Sequence, residues 1–308
     1  MTDSILENFP DNGYADLGTV LYSNDCVQLR SLLNTARPLS KDIFYSTQEE
    51  FNNKGRWHHY APGRDSHNVL IDNQVNLAFI EDNETFVEIC RRLCGSDYAI
   101  MKKSVVRSVS DHLLPEWIND KVRDVGRPNL NPFIHDDYQD VQHFLHTDYH
   151  QDKTRPTSNF VTVYIYLDEV SKDYSALRIL EGSHRLGMTS YPHNLRKSWP
   201  NDDHIFYSDN SGNHLKCRPV ITTGGPGTVV CFHGMTLHGT VTNKSEDPRI
   251  SLRYLITCPP GTGNDSLLDK ANRRVIGPHS ASNLRLDVAE DGSLLPTGSS
   301  ILDFERVN

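Results

Sequence analysis

Residues 159–170 read NFVTVYIYLDEV, a run of β-branched and aromatic residues bounded by polar turn residues. This composition is typical of a β-strand. Four further segments of the same kind are QHFLHTDYH (142–150), SALRILEG (175–182), GTVVCFHGM (227–235) and RISLRYLIT (249–257). Gly, Pro, Asp and Ser separate them, and no regular helix lies between them. The pattern predicts an antiparallel barrel or jelly roll.

Two amphipathic helices are expected before these strands. SNDCVQLRSLLNTAR (23–37) places Ser, Asn and Asp ahead of a periodic apolar pattern, as an N-capped helix does. FVEICRRLC (86–94) has its apolar residues on one helical face, follows Asp82 or Asn83 as a cap and ends before Gly95. After this glycine the pattern changes to that of a strand.

The whole chain, residues 1–308, is interpreted as a single domain. Residues 1–97 form a helical part that packs on the barrel, and residues 98–258 form the jelly-roll core. Within the core, residues 115–142 are too irregular for a strand and too long for a turn, which predicts a lid insertion. The polar segment 259–308 is expected to wrap the outside.

Charge and hydropathy limit the classes of function. The chain has 31 Lys and Arg against 40 Asp and Glu, a formal net charge of −9 with His neutral. This balance disfavours nucleic acid or an anionic membrane as the main partner and favours a small-molecule substrate. No apolar run approaches the roughly 20 residues that span a bilayer, and no secretory signal is recognisable at the start. A cytoplasmic protein is therefore expected.

The cysteines do not form a disulfide framework. Six are scattered along the chain, which predicts reduced thiols in a large core. Cys90 and Cys94 are four residues apart, and this spacing suits either two buried small residues on one helix face or a metal or redox pair.

Residues 143–152, HFLHTDYHQD, contain the His-x-Asp pattern twice. The two pairs are His146 with Asp148 and His150 with Asp152. Side chains at i and i+2 of a strand point to the same face, so either pair delivers an imidazole and a carboxylate to one cavity. Because two donors hold a catalytic metal weakly, a third donor is expected on another strand. His238, which follows an apolar strand, is the leading candidate.

Two histidines and one carboxylate on one face of an octahedral Fe(II) leave three positions open, as oxygen-activating iron enzymes require. A 2-oxo acid can fill two of them and O2 the third, and its distal carboxylate then needs a cation. Arg249, eleven residues after His238, offers a planar fork that suits a carboxylate. Two alternatives are a Zn(II) or Mn(II) jelly-roll isomerase or hydrolase, and a non-catalytic binding protein with a structural metal.

The chain resembles the phytanoyl-CoA dioxygenase family of Fe(II)/2-oxoglutarate oxygenases over residues 145–255, and more weakly over residues 12–33. The matching stretches are LHTDYH (145–150), LDEVSKDYSALRILEGSHRLG (167–187) and GTVVCFHGMTLHGTVTNKSEDPRISLRYL (227–255). They match the family's Leu-His-x-Asp-x-His, its Gly-Ser/Thr-His turn, and its distal His followed by Gly, Asn and Arg. The resemblance implies a mainly β fold with added helices around a double-stranded β-helix, a cupin-like jelly roll.

The resemblance also implies a dioxygenase that uses Fe(II), 2-oxoglutarate and O2. Such an enzyme oxidises an unactivated C–H bond and releases succinate and CO2. Hydroxylation is the expected outcome, with desaturation or cyclisation as alternatives. Halogenating relatives lack the carboxylate ligand, so Asp148 argues against halogenation.

Family spacing favours the first His-x-Asp pair as the metal ligands. In the family, about twenty residues separate the metal Asp from the acidic end of the next strand. Asp148 lies twenty residues before Asp168, whereas Asp152 lies sixteen before it. The implied iron triad is therefore His146, Asp148 and His238. The second pair precedes a polar turn, residues 153–158, and is expected at the barrel rim.

Further positions match family residues that bind the co-substrate. Arg249 resembles the residue that pairs with the distal carboxylate of 2-oxoglutarate, and Thr240 matches a hydroxyl that supports it. Tyr164 matches an aromatic residue that lines the co-substrate. Either Lys102 or Lys103 matches a lysine near 2-oxoglutarate.

The resemblance does not imply a substrate. Tyr174-Ser175 replaces an Asn-Gly found in many relatives, and the 115–142 insertion is longer than theirs. The acidic residues Asp136, Asp137 and Asp140 lie at its end. They suit an amine, which favours a small polar or nitrogen-containing metabolite over an acyl-CoA, with a solvated acidic loop as the alternative.

Overall fold

The computed structural model describes residues 2–38, 69–110, 132–136, 141–145, 149–152, 159–189, 193–197, 202–209, 211–259 and 261–279. The strands are β1 (Tyr14–Thr19), β2 (Ala99–Ser108), β3 (Pro132–Asp136), β4 (Val141–Leu145), β5 (Val161–Tyr166), β6 (Leu177–Glu181), β7 (Asn194–Lys197), β8 (Ile205–Ser208), β9 (His214–Thr222), β10 (Thr228–His233), β11 (His238–Thr240) and β12 (Arg249–Thr257). The helices are α1 (Thr2–Glu7), α2 (Phe9–Asn12), α3 (Ser23–Ala36), α4 (Val69–Asp72), α5 (Ala78–Glu81), α6 (Glu84–Cys94) and α7 (Leu267–Asn272), with a 3-10 helix at Ser183–Leu186.

The described strands form two antiparallel sheets. The larger sheet has seven strands in the order β1-β10-β5-β12-β2-β3-β4, and the smaller has five in the order β11-β6-β9-β8-β7. Apolar side chains from both sheets, among them Val230 and Tyr164 from the larger and Leu177 and Ile179 from the smaller, pack into one cluster. The two sheets therefore enclose a common interior, which confirms the mainly β, cupin-like jelly roll expected from the sequence. The division at residues 97 and 258 stays a prediction.

The two faces of the larger sheet differ in polarity, as β12 shows. Ile250, Leu252 and Tyr254 belong to a core that the helices cover. Arg249, Ser251 and Arg253 alternate with them and are also buried, so they point into the barrel. Three polar side chains on the inner face of one buried strand mark this part of the interior as a candidate polar site beside the apolar cluster.

Helix α6 forms as its sequence predicts. Asn83 caps it, and its side chain accepts hydrogen bonds from the backbone N–H groups of Thr85 at 3.0 Å and Phe86 at 3.2 Å. Gly95, at φ +91°, follows the last turn. The residues buried against the outer face of the sheet are Phe86, Ile89, Cys90, Leu93 and Cys94. Cys90 and Cys94 are thus small core residues on one helix face, and all six cysteines are buried and free.

Helix α3 confirms the other predicted helix, although its capping differs. Its N-cap is Tyr22, which makes no side-chain capping bond, so the polar residues after it do not cap as expected. At the other end, the fully buried Arg107 on β2 donates from Nη2 to the carbonyl of Leu33 at 2.9 Å. The same carbonyl also accepts the backbone N–H of Arg37 at 3.1 Å, and a cation at a helix C-terminus complements the helix dipole. Arg107 thereby ties α3 to the sheet.

The predicted lid insertion, residues 115–142, contains an unexpected strand. β3 pairs with β2 and β4 and extends the larger sheet. The expectation that this stretch is too irregular for a strand is therefore wrong at residues 132–136. Pro132 stands at the first position of β3, where a strand tolerates the missing N–H. Residues 111–131, where a lid would lie, are outside the described residues.

Part of the segment after residue 258 contributes to the core and does not only wrap the surface. Helix α7 buries Leu267, Leu268 and Ala271 in the helix-covered core. Farther along, Gly277 lies against Gly187, which follows the 3-10 helix. A Cβ on Gly277 would lie 1.9 Å from the carbonyl oxygen of Leu186, and one on Gly187 would lie 2.4 Å from that of Pro278. The two backbone segments therefore approach too closely for any side chain between them.

Two buried histidines join α2 and α7 to the barrel. The side chain of His184, in the 3-10 helix, bonds through Nε2 to the carbonyl of Pro10 at 3.1 Å. His233, on β10, bonds through Nε2 to the Asn272 side chain at 3.0 Å, and its Nδ1 accepts from the N–H of Met235. Burial holds the pKa of His184 well below its ordinary value and lowers the pKa of His233 to about 4. Both rings are therefore neutral in the folded protein.

These histidines predict a loss of stability in mild acid. The unfolded chain binds protons near pH 6.5, whereas the folded histidines resist protonation, so stability falls as the pH drops below that value. Urea unfolding should give a free energy roughly 2 kcal/mol lower at about pH 5.5 than at about pH 7.5. His233→Asn should flatten this slope, whereas the same change at the exposed His214 should not. A slope equal in both variants would contradict the prediction.

Candidate active site

The second His-x-Asp pair and the distal histidine come together in the barrel interior. One ligand atom each of His150, Asp152 and His238 lies within 4.8 Å of the others, a geometry that can hold a metal ion. Backbone hydrogen bonds hold the group together: His150 N–H donates to the carbonyl of His238 at 2.8 Å, and His238 N–H returns a bond at 2.9 Å. Asp152 N–H donates to the carbonyl of Gly234 at 3.1 Å. Residues 150–152 are thus hydrogen-bonded through their backbone to residues 234–238, which lead into β11.

Gln151, between the two ligands of the pair, points the other way and fixes this segment. Its side-chain nitrogen donates to the carbonyls of Gly187 and Met235, both at 2.7 Å. Its side-chain oxygen accepts from the N–H of Thr189 at 3.0 Å. Gln151 is 2 % exposed, so three buried hydrogen bonds hold it. Because side chains alternate, this anchor turns His150 and Asp152 toward His238.

His238 is prepared as a neutral ligand. Its Nδ1 lies 2.9 Å from the carbonyl oxygen of Thr236 and donates to it. The lone pair is then on Nε2, which lies 3.8 Å from Oδ1 of Asp152. Burial lowers the pKa of His238, although Asp152 works against this shift. A ring whose far nitrogen donates to a carbonyl is the usual form of a metal-binding histidine.

Asp152 is ionised inside the protein. Arg253 Nη2 lies 2.7 Å from its Oδ1, and Thr162 Oγ1 donates to its Oδ2 at 2.6 Å. Burial alone would raise the pKa of Asp152, but Arg253, His238 and these hydrogen bonds outweigh it and hold that pKa well below its usual range. The carboxylate is therefore ready to bind a cation at neutral pH.

The expectation that the second pair lies at the barrel rim is wrong. Asp152 is only 8 % exposed, and Arg253 and His238 surround it. A residue count up to Asp168 measures the length of the chain, whereas the backbone bonds to His238 and Gly234 set the register. His146 and Asp148 lie outside the described residues, so the preference for them as ligands stays an untested prediction.

Arg249 presents two adjacent N–H donors, Nε and Nη2, that could bind a carboxylate. It is fully buried, and its Nη1 donates to Tyr164 Oη at 3.1 Å and to Ser251 Oγ at 2.6 Å. Its Nε and Nη2 have no hydrogen-bond partner among the residues that the structure describes. The rings of Tyr164 and Tyr166 lie 5.4 and 6.0 Å from the guanidinium carbon. Buried donors without partners are costly, and these two form the fork that binds a carboxylate.

The family model described as phytanoyl-CoA dioxygenase (PhyH) matches residues 9–251. The chain belongs to the PhyH family. As a PhyH-family member it is a non-haem iron, 2-oxoglutarate-dependent enzyme, with Fe(II), 2-oxoglutarate and O2 as its cofactor and co-substrates. Two imidazoles, one carboxylate and a buried arginine fork fit these groups. No curated protein sequence matches the chain significantly.

Three solved structures similar to this PhyH-family chain are distant from it in sequence. The epimerase SnoN, in complex with Fe3+, alpha ketoglutarate and nogalamycin RO, is 14% identical with a TM-score of 0.50, over 86% of this chain and 92% of SnoN. EvdO2 from Micromonospora carbonacea var. aurantiaca is 15% identical with a TM-score of 0.48, over 85% and 93%. EvdMO1 is 14% identical with a TM-score of 0.45 over 83% of this chain, which spans only 50% of EvdMO1. The likeness to SnoN supports the fold.

The co-substrate residues expected from the PhyH resemblance are only partly brought together. Tyr164 bonds directly to Arg249. Thr240 is buried on β11, two residues after His238 and so on the same face of that strand. Lys102 on β2 pairs with Leu255, whereas Ser108 on β2 pairs with Arg249. These two positions are six residues apart, which corresponds to about 20 Å along the strand. The structure does not bring Lys102 to Arg249.

Lys103, the other lysine considered, lies on the opposite face of β2. It forms an ion pair with Glu81 at 2.6 Å on the helix-covered side. Sequence reasoning also missed Arg253 and Thr162, the two residues that hold Asp152. The signal for Arg253 was present, since it lies four residues after Arg249 and therefore on the same face of β12.

In the described part of the chain, no helix has the length and apolar character needed to cross a membrane. The expectation of a cytoplasmic protein stays a prediction.

Proposed function

We propose that this PhyH-family enzyme holds Fe(II) with His150, Asp152 and His238. The observation that carries the proposal is the convergence of their ligand atoms within 4.8 Å. The neutral His238 ring and the ionised Asp152 are in the protonation states that a metal requires. This assignment keeps the distal histidine expected from the sequence and takes the second His-x-Asp pair in place of His146 and Asp148.

Arg249 is proposed to anchor the distal carboxylate of 2-oxoglutarate. Its free Nε and Nη2 form a fork inside the barrel, and Tyr164 and Ser251 hold the other side of the guanidinium. A carboxylate would supply the hydrogen bonds that these two nitrogens lack among the described residues. Tyr164 thus acts by orienting Arg249, and Thr240 is proposed to support the same carboxylate.

The proposed reaction is hydroxylation of an unactivated C–H bond, with desaturation or cyclisation as alternatives. When bound, Fe(II) and 2-oxoglutarate supply the oxidant from O2, with release of succinate and CO2. The chain orients these groups and keeps the site dry. Phe232 is buried beside the triad, and its ring lies 4.3 Å from the His238 ring between centroids. Such apolar walls exclude water from a reactive centre.

The substrate is proposed to be a small molecule, and a polar or nitrogen-containing one is preferred. This preference rests on the acidic residues at the end of the insertion. Asp137 and Asp140 lie outside the described residues, and Asp136 ends β3. Succinate release can be compared across amino acids and acyl-CoAs. Turnover of an acyl-CoA alone would refute the preference.

A non-redox metal enzyme, such as an isomerase or hydrolase, is the weaker candidate. It would use the same triad to polarise a substrate. Such an enzyme gives Arg249 no anion to bind, although the residue is fully buried and two of its donors lack a partner among the described residues.

Anaerobic mixing tests the proposed function directly. Adding Fe(II) and 2-oxoglutarate to the wild-type protein should produce a visible charge-transfer band, because the co-substrate chelates the iron. The band should be absent in His238→Ala, while the equivalent change at the exposed His214 should leave it intact. A wild-type protein that binds Fe(II) but shows no band with 2-oxoglutarate would favour the non-redox candidate.

A further inference from the structure

Arg253 lies at the oxygen of Asp152 that faces His238. Its Nη2 is 2.7 Å from Oδ1, the same oxygen that lies 3.8 Å from His238 Nε2. The second oxygen, Oδ2, is taken by the Thr162 hydroxyl at 2.6 Å. Both Asp152 and Arg253 are buried, at 8 % and 5 % exposure. The carboxylate therefore already has a cation at the position from which it would bind a metal.

This arrangement has an electrostatic consequence for metal binding. A buried carboxylate needs a nearby positive charge, and Arg253 supplies one. A divalent ion bonded to Oδ1 would share that oxygen with the guanidinium. Two like charges this close repel strongly where water is excluded. Repulsion from Arg253 therefore weakens the binding of a metal ion when no co-substrate is present.

We propose that Arg253 is a placeholder cation: it neutralises Asp152 when no metal is bound, and it thereby makes metal binding depend on 2-oxoglutarate. The inference rests on the proposed function of the triad and of Arg249. Asp152 and Arg253 form a neutral pair, so together with the buried Arg249 the site carries one positive charge, and a divalent ion raises this to three. The dianion 2-oxoglutarate brings two negative charges and returns the site to its charge before metal binding. Metal and co-substrate should thus bind as a coupled pair, and Arg253 sets the strength of this coupling.

Arg253 is not explained by the needs of the strand alone. Its backbone pairs with Tyr164 on one side and Ser104 on the other, and these bonds do not require an arginine side chain. The neighbouring Leu252 and Tyr254 pack the outer face of β12. An apolar residue at position 253 would also fill a buried position without the cost of burying a charge. The guanidinium is thus best accounted for by its contact with Asp152.

Titration with Mn(II), followed by the EPR signal of the free ion, tests the proposal without turnover. The dissociation constant is measured with and without saturating 2-oxoglutarate for the wild type, Arg253→Met, Arg253→Gln and Arg253→Lys. Without 2-oxoglutarate, the two neutral variants should bind Mn(II) about tenfold more tightly than the wild type. The tightening by 2-oxoglutarate should shrink in them by about the same factor. Arg253→Lys keeps the charge and should behave like the wild type.

The outcomes separate this proposal from the function on which it rests. Structural damage to the site weakens metal binding, so tighter binding in a neutral variant cannot come from misfolding. If the wild type binds Mn(II), with 2-oxoglutarate tightening it, but the neutral variants bind equally or less well, Arg253 is not a placeholder. The same conclusion follows if neither neutral variant folds. If the wild type binds no Mn(II), or His238→Ala binds it equally well, the proposed metal centre itself is wrong.

Discussion

Asp152→Ala is expected to reduce succinate formation by about a thousandfold, equivalent to roughly 4 kcal/mol of activation free energy. The substitution removes the only carboxylate of the proposed triad and leaves the buried Arg253 without its partner. Succinate released from 2-oxoglutarate in the presence of Fe(II) and O2 is the measurement. It needs no knowledge of the substrate when the slow uncoupled reaction is followed.

The matched control is the same substitution in the other His-x-Asp pair. Asp148→Ala should keep most of the uncoupled activity, and an Fe(II) titration should show weaker binding in His150→Ala than in His146→Ala. The opposite pattern, with Asp148→Ala inactive and Asp152→Ala active, would restore the ligand set expected from family spacing. Comparing the two pairs within one chain removes differences in expression and iron loading.

Arg249→Met is expected to raise the KM for 2-oxoglutarate by about a hundredfold to a thousandfold. Truncating one partner of a buried charge pair costs roughly 2–5 kcal/mol. Methionine fills a similar volume but cannot donate to a carboxylate. Metal binding without co-substrate should change little, because Arg249 bonds to Tyr164 and Ser251 and not to the triad. Steady-state kinetics with varied 2-oxoglutarate is the measurement.

Tyr164→Phe provides a graded control for the arginine. It removes the hydroxyl that accepts from Arg249 Nη1 at 3.1 Å but keeps the ring beneath the guanidinium. The KM for 2-oxoglutarate should rise by about tenfold, in line with loss of one hydrogen bond to a charged group. An unchanged KM in Arg249→Met would show that 2-oxoglutarate is anchored elsewhere.

The sequence predicts the fold where strands are buried on both faces. β5 and β10 are nearly continuous apolar, aromatic or β-branched runs, β12 alternates apolar with polar residues, and each forms a strand at the expected place. β9, HLKCRPVIT, is partly exposed and contains a proline, so neither period nor composition marks it. β3 was missed because its pairing with β2 and β4 is a long-range event that local propensity does not carry.

The sequence predicts which kinds of residue form the candidate site, but it does not decide which of the two His-x-Asp pairs contributes. His238 and Arg249 stand on strands whose patterns are clear, and the structure places both in the barrel interior. The proposed choice between two pairs only four residues apart rests on the bridge between His150 and His238, which joins the second pair to β11. Both pairs satisfy the i, i+2 rule equally, so alternation could not separate them.

The close approach of Gly187 and Gly277 has an evolutionary consequence. The chain around Gly187 bonds to Gln151, which lies between two of the proposed ligands, so a shift there would reach the metal centre through a single side chain. A side chain at either glycine would collide with the opposing backbone. Substitutions at these two positions, ninety residues apart, should therefore be epistatic. Descendants of this chain should keep both glycines or rebuild both segments together.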